Sequence, residues 1–120
     1  MESILIVDDD VALGNALSEE LTEVGFDAYS VVSADDAFIF LKTHPVDLML
    51  LDLKMPEKDG FYVLHELIKD PNHCKVIVLT AYADVKSAIE AAKTGANDFI
   101  SKPYDFEELL VTIRKVLNSD

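Results

Sequence analysis

Leu48-Met49-Leu50-Leu51-Asp52-Leu53-Lys54-Met55-Pro56 passes, within nine residues, from an apolar run to a carboxylate and then to a proline. Its first half is a continuous apolar run without alternation, the pattern of a strand whose sheet is covered on both faces. The run ends in a carboxylate, and Pro56 and Gly60 then break any regular structure. Val46 to Leu51 therefore reads as the central strand of a parallel sheet, and Asp52 to Gly60 as a loop over the strand's carboxyl end.

The same construction recurs outward from this point. Ile4-Leu5-Ile6-Val7 runs into Asp8-Asp9, Val76-Ile77-Val78-Leu79 into Thr80, and Phe99-Ile100-Ser101 into Lys102-Pro103, while Ala28 to Val32 supplies a further strand. Helical periodicity fills the gaps. Val11, Leu13, Leu17, Leu21 and Val24 make one apolar face, which Gly25 stops. Ser33 caps a helix bearing Ala37, Phe38, Phe40 and Leu41, which ends at His44-Pro45. Phe61, Val63, Leu64, Leu67 and Ile68 line a third helix, finished by Asp70-Pro71. Asp84 caps an Ala-rich fourth that Gly95 terminates, and Asp105 with Glu108 opens a fifth that buries Leu109, Leu110, Ile113, Val116 and Leu117. Strand and helix alternate throughout, which predicts an α/β fold with a doubly wound, five-stranded parallel sheet of order 2-1-3-4-5 and helices on both faces, the flavodoxin-like arrangement.

Composition narrows the function. A chain of 120 residues with 50% apolar content reads as one domain, residues 1–120, with a single core. The net charge of -13, with no basic run, argues against direct binding of nucleic acid or an anionic membrane. No apolar run approaches the ~18 residues of a membrane span, and one cysteine, Cys74, suits a reducing compartment; the expected location is cytoplasmic. His44, His65 and His73 share no ligand spacing and read as surface or loop residues, and Asp10 as a helix cap.

In a 2-1-3-4-5 sheet the first and third strands are neighbours, about 4.8 Å apart, so Asp8, Asp9 and Asp52 converge. Like charges about 4 Å apart repel by roughly 4 kcal/mol at an effective dielectric near 20, so a cation must compensate. Lys102, two strands or roughly 10 Å from Asp52, reaches most of that distance with its side chain. One ammonium does not balance three carboxylates, and an all-oxygen donor set points to a hard divalent ion such as Mg²⁺. With Thr80 and Lys102 as donors to a phosphoryl group and Asp52 as an in-line nucleophile, the predicted chemistry is formation of an acyl phosphate on Asp52.

These residues, taken together, resemble the receiver domain of two-component response regulators over essentially the whole chain. The resemblance rests on Ile6-Val7-Asp8-Asp9, Leu51 to Pro56 followed by Asp59-Gly60, Leu79-Thr80-Ala81, and Phe99 to Pro103. It implies a phosphorylation-activated signalling switch rather than a metabolic enzyme, although one that assists its own phosphorylation and hydrolysis. Asp52 would be phosphorylated by a sensor histidine kinase or phosphotransfer protein. Asp9, Asp52 and the Lys54 carbonyl would bind Mg²⁺ (or Mn²⁺) with help from Asp8, Thr80 and Lys102 would bind the phosphoryl group, and the Lys102-Pro103 peptide would be cis. Thr80 and Phe99 would form the switch pair, Phe99 standing where many members carry Tyr. The segments 80–85 and 95–99 most resemble receivers of enhancer-dependent activators of the nitrogen-regulator class, which implies a DNA-binding or ATPase output domain in a longer chain.

Other readings fit less well. A haloacid-dehalogenase-type phosphatase needs D-x-D-x-T/V after its first strand, where this chain has Ala12 after Asp8 and Asp10, and a flavodoxin needs Ser, Thr and Gly where it has three aspartates. A constitutive interaction module would not keep the acceptor, metal and lysine positions intact. Two further expectations concern behaviour. The Asp84–Thr94 helix, rich in Ala, should shift easily and, with the final helix and last strand, offer a partner or homodimer face. Lys54 and Tyr82, neither able to orient water as a base, should shield the acyl phosphate and slow its hydrolysis.

Overall fold

The computed structural model describes residues 1–81 and 84–119. Five strands alternate with five helices: β1 (Ser3–Val7), α1 (Val11–Glu23), β2 (Asp27–Val31), α2 (Ala34–Thr43), β3 (Leu48–Asp52), α3 (Gly60–Leu67), β4 (Lys75–Ala81), α4 (Val85–Thr94), β5 (Asp98–Lys102) and α5 (Phe106–Leu117). The strands pair in parallel in the order β2-β1-β3-β4-β5, the predicted doubly wound sheet.

Side-chain alternation splits the core into two layers. Ile4, Ile6, Leu48, Leu50, Ile77 and Leu79 face one side and pack with Leu17 and Leu21 of α1 and Leu109, Ile113 and Val116 of α5. Leu5, Val7, Met49, Leu51, Val76 and Val78 face the other and pack with Ala37 of α2, Val63, Leu64 and Leu67 of α3 and Ala91 of α4. Every residue of β3 is buried, which is why its sequence shows no polar alternation.

Each helix starts on a side-chain cap: Asp10, Ser33, Asp59, Asp84 and Asp105 accept from the amides of Leu13, Asp36, Tyr62, Ser87 and Glu108. Gly25 and Gly95 follow α1 and α4 with φ of 103° and 135°, in the left-handed range that favours glycine. At the far end of the sheet, Lys75 Nζ donates to the carbonyls of Val116 and Ser119, a cation on the negative end of α5.

The differences from the sequence reading lie at element ends. β3 begins at Leu48 rather than Val46, although Asp47 still donates to the Ser3 carbonyl, and it includes Asp52. β2 is shifted by one residue and leaves Val32 exposed, and α3 stops at Leu67, short of Asp70-Pro71. Val11 and Val24, expected on the buried face of α1, are exposed, as the first residue and the C-cap of that helix. Ile68 is likewise the exposed C-cap of α3.

Candidate functional site

Strand register assembles the site. Val7 lies opposite Leu51, so Asp8 follows β1 on the row that Asp52 occupies in β3. Asp52 in turn faces Leu79, with Thr80 one step further, and Ala81 faces Lys102. Carboxylate oxygens of Asp8, Asp9 and Asp52 come within 4.8 Å of one another. Asp8 and Asp52 are 1% and 7% exposed, whereas Asp9 is open to solvent.

Loop geometry fixes the carboxylates. Asp8 Oδ1 accepts from the Asp10 amide at 2.9 Å, and Asp52 Oδ1 from the Lys54 amide at 3.1 Å. Lys102 enters from β5 as the cation of the cluster, 2.9 Å from Asp8 Oδ2 and 3.6 Å from Asp52 Oδ2, so it is held more closely by Asp8 than by Asp52. The Lys102-Pro103 peptide is cis. Asp52 is also crowded from behind: a Cβ on Gly60 would lie 2.5 Å from the Asp52 carbonyl oxygen and 2.6 Å from Leu53 Cα, so the return of the loop requires glycine.

Thr80 is buried, and its hydroxyl donates to the Asp84 carbonyl at 3.4 Å rather than to Asp52. Phe99 is 44% exposed beside a cavity of about 260 Å³ lined by Thr80, Ala81, Val85, Phe99 and Ser101. The Lys54 ammonium lies 3.5 Å from Asp84 Oδ2. Tyr82, named with Lys54 as a lifetime-setting residue, lies outside the described residues.

A family model described as the response regulator receiver domain matches residues 4–114. The chain belongs to this family. Among curated proteins it is 40% identical over 120 residues to a probable transcriptional regulator, ycf29, of Cyanophora paradoxa, covering 98% of this chain and 57% of that protein. It is 37% identical over 115 residues to the regulatory protein AtoC of Escherichia coli K12, covering 95% and 25%. This receiver thus spans about half, or less, of the curated relatives it matches. Among solved structures, a putative response regulator from Chloroflexus aurantiacus superimposes with a TM-score of 0.92 at 26% identity, covering 98% of both chains. The receiver domain of NtrX from Brucella abortus does so with 0.90 at 26%, covering 98% of this chain and 99% of that one. The presence of AtoC and NtrX among the relatives agrees with the nitrogen-regulator-type resemblance.

Receiver domains are signalling domains of two-component systems that interact with histidine kinases or phosphotransfer proteins, and they generally bind Mg²⁺. The donor set of this receiver fits that ion, being three converging carboxylates with one exposed member through which it can enter. No helix among the described residues is long and apolar enough to cross a membrane.

Burial raises the Asp52 carboxyl above its ordinary range, the Lys54 amide and Lys102 oppose that, and Asp8 and Asp9 add to it. Burial alone would lower the Lys102 ammonium, but the hydrogen bond to Asp8 and the charges of Asp52 and Asp8 raise it on balance. A carboxyl with a raised pKa stabilises the fold while protonated and loses that contribution as pH rises through its folded value. Without Mg²⁺, Asp52→Asn is therefore expected to stabilise the protein at neutral pH. The gain should shrink on acidification, as the wild-type carboxyl takes up its proton. Urea unfolding at several pH values measures this.

Two features escaped the sequence reading. The contact of Gly60 with Asp52 had a signal in the glycine that starts α3 directly after a capping Asp. The pairing of Lys54 with Asp84 had none, because it joins two loops whose spacing only the β3–β4 register sets.

Proposed function

We propose that Asp52 accepts a phosphoryl group from a sensor histidine kinase or phosphotransfer protein, in a Mg²⁺-dependent reaction, and that the resulting acyl phosphate switches the output face. The observation that carries this is the convergence of Asp8, Asp9 and Asp52 with Lys102 held between Asp8 and Asp52. An Asp52 oxygen attacks phosphorus, the bond from phosphorus to the donor nitrogen breaks, and an acyl phosphate forms. Asp9, Asp52 and the Lys54 carbonyl would hold the metal, with Asp8 assisting, and the ion would supply charge that offsets the phosphoryl oxygens. Lys102 takes a phosphoryl oxygen from the other side, and Thr80 turns from the Asp84 carbonyl to donate to another.

Phe99 then turns inward over the space beside Thr80, a movement for which the adjoining cavity leaves room. The receiver promotes its own phosphorylation and hydrolysis, and Lys54 and Tyr82 slow the latter by shielding the acyl phosphate. The exposed apolar residues Val85 and Ile89 of α4, Phe99 of β5 and Val111 of α5 favour this face for a homodimer or partner. Transcriptional regulators among the relatives support a cytoplasmic setting and a DNA-binding or ATPase output domain in a longer chain.

Labelling with acetyl phosphate followed by intact mass tests the metal requirement. One phosphoryl group is expected with Mg²⁺ and none after chelation. In metal titrations Asp9→Asn should weaken Mg²⁺ binding and the surface change Glu20→Gln should not. Equal binding by these two variants removes Asp9 from the metal shell.

A further inference from the structure

Asp84 joins the start of α4 to the end of β4 and to the loop that follows β3. Its Oδ1 accepts from the Ser87 amide at 3.4 Å as the cap of α4, its Oδ2 lies 3.5 Å from the Lys54 ammonium, and its carbonyl accepts from the Thr80 hydroxyl at 3.4 Å. Lys54 is meanwhile fastened to the acceptor, its amide donating to Asp52 Oδ1. The start of α4 is thus tied to the acceptor loop by an ion pair and to β4 by a hydroxyl. The Asp84 amide also donates to the Ala81 carbonyl at 2.9 Å, but little apolar packing anchors the helix, because the buried side chains of α4 are only Ala88 and Ala91, while Val85 and Ile89 are exposed.

We propose that Asp84 is a positioning residue that withholds the Lys54 ammonium from the acceptor site, and that a phosphoryl group on Asp52 draws Lys54 away and frees the first turn of α4. The inference rests on the phosphoacceptor reading. Phosphorylation replaces the single charge of the Asp52 carboxylate by the near-double charge of a phosphoryl group, which competes for Lys54 against one partly exposed carboxylate. Thr80 leaves the Asp84 carbonyl in the same event, so both ties loosen together and Asp84 keeps its cap to Ser87 and its backbone bonds to Ala81 and Ala88. By linkage, whatever the tether contributes to the resting form is subtracted from the affinity for the phosphoryl group.

Asp84→Asn isolates the charge, since Asn caps a helix about as well as Asp. Calorimetric titration of the full chain with beryllium trifluoride and Mg²⁺, the fluoride standing for the phosphoryl group, reads the effect. Asp84→Asn should bind about twofold to fivefold more tightly than wild type, the scale of a partly exposed ion pair. In a Lys54→Met background, Asp84→Asn should change nothing. Unchanged affinity of Asp84→Asn overturns the inference, and so does equal tightening in both backgrounds, which would mean only that a negative charge had been removed near an anion site. Uptake of trifluoride by neither wild type nor variants would overturn the phosphoacceptor reading itself, whereas uptake by wild type with no Lys54-dependent difference removes the tether alone.

Discussion

Gly60→Ala is expected to destabilise the protein by about 3 kcal/mol, in the range of overpacking a buried position, and to slow phosphorylation of Asp52 on the order of 100-fold. Both effects come from one contact. The added Cβ would meet the Asp52 carbonyl oxygen and Leu53 Cα, at 2.5 and 2.6 Å, and these are backbone atoms that no rotamer change can move aside. The Gly60 amide also donates to the Leu53 carbonyl at 3.1 Å, so the start of α3 cannot retreat without giving up that bond. Asp52 must shift instead, and a displacement of about 1 Å at a nucleophile is costly in rate. Urea unfolding and the rate of acetyl phosphate labelling measure the two effects. Wild-type stability in Gly60→Ala would show that the loop adapts and that Gly60 does not position the acceptor.

Lys102→Met is expected to cost about 2–3 kcal/mol without Mg²⁺ and to reduce labelling of Asp52 severely. Removing one member of a fully buried ion pair costs about 3–5 kcal/mol, because a buried charge is left alone. The Asp8 side chain is 1% exposed and lies 2.9 Å from the ammonium, but the Lys102 side chain is 28% exposed, and that access to water reduces the expected cost. A lysine with a raised pKa contributes stability fully below its ordinary pKa and loses it as pH rises through the folded value, so the deficit should be complete at neutral pH. Saturating Mg²⁺ should restore part of it by supplying another cation to Asp8, Asp9 and Asp52. A Lys102→Met protein as stable as wild type in chelator would remove Lys102 as the counter-ion of the cluster.

The sheet was readable because each strand meets the same physical demand. An unbroken apolar run such as Leu48 to Leu51 makes sense only between two layers, and once the strand order is set, strand-end residues such as Asp8, Asp52 and Thr80 must share one edge. Contacts made by flexible side chains were less legible. Strand spacing gave the reach of Lys102 but not its preference for Asp8, which depends on how the Asp10 and Lys54 amides aim the two carboxylates. Periodicity placed Val11 and Val24 on an apolar face but could not show that they fall at the two ends of α1, where they are exposed. The Lys54–Asp84 pair joins two loops and leaves no mark on either segment alone.

Asp52 is the one carboxylate of the cluster proposed to receive the phosphoryl group. Incubation of wild type and Asp52→Asn with acetyl phosphate and Mg²⁺, followed by intact-mass measurement, decides this. One added phosphoryl group on wild type and none on Asp52→Asn is the predicted result; equal labelling of the two proteins would contradict it.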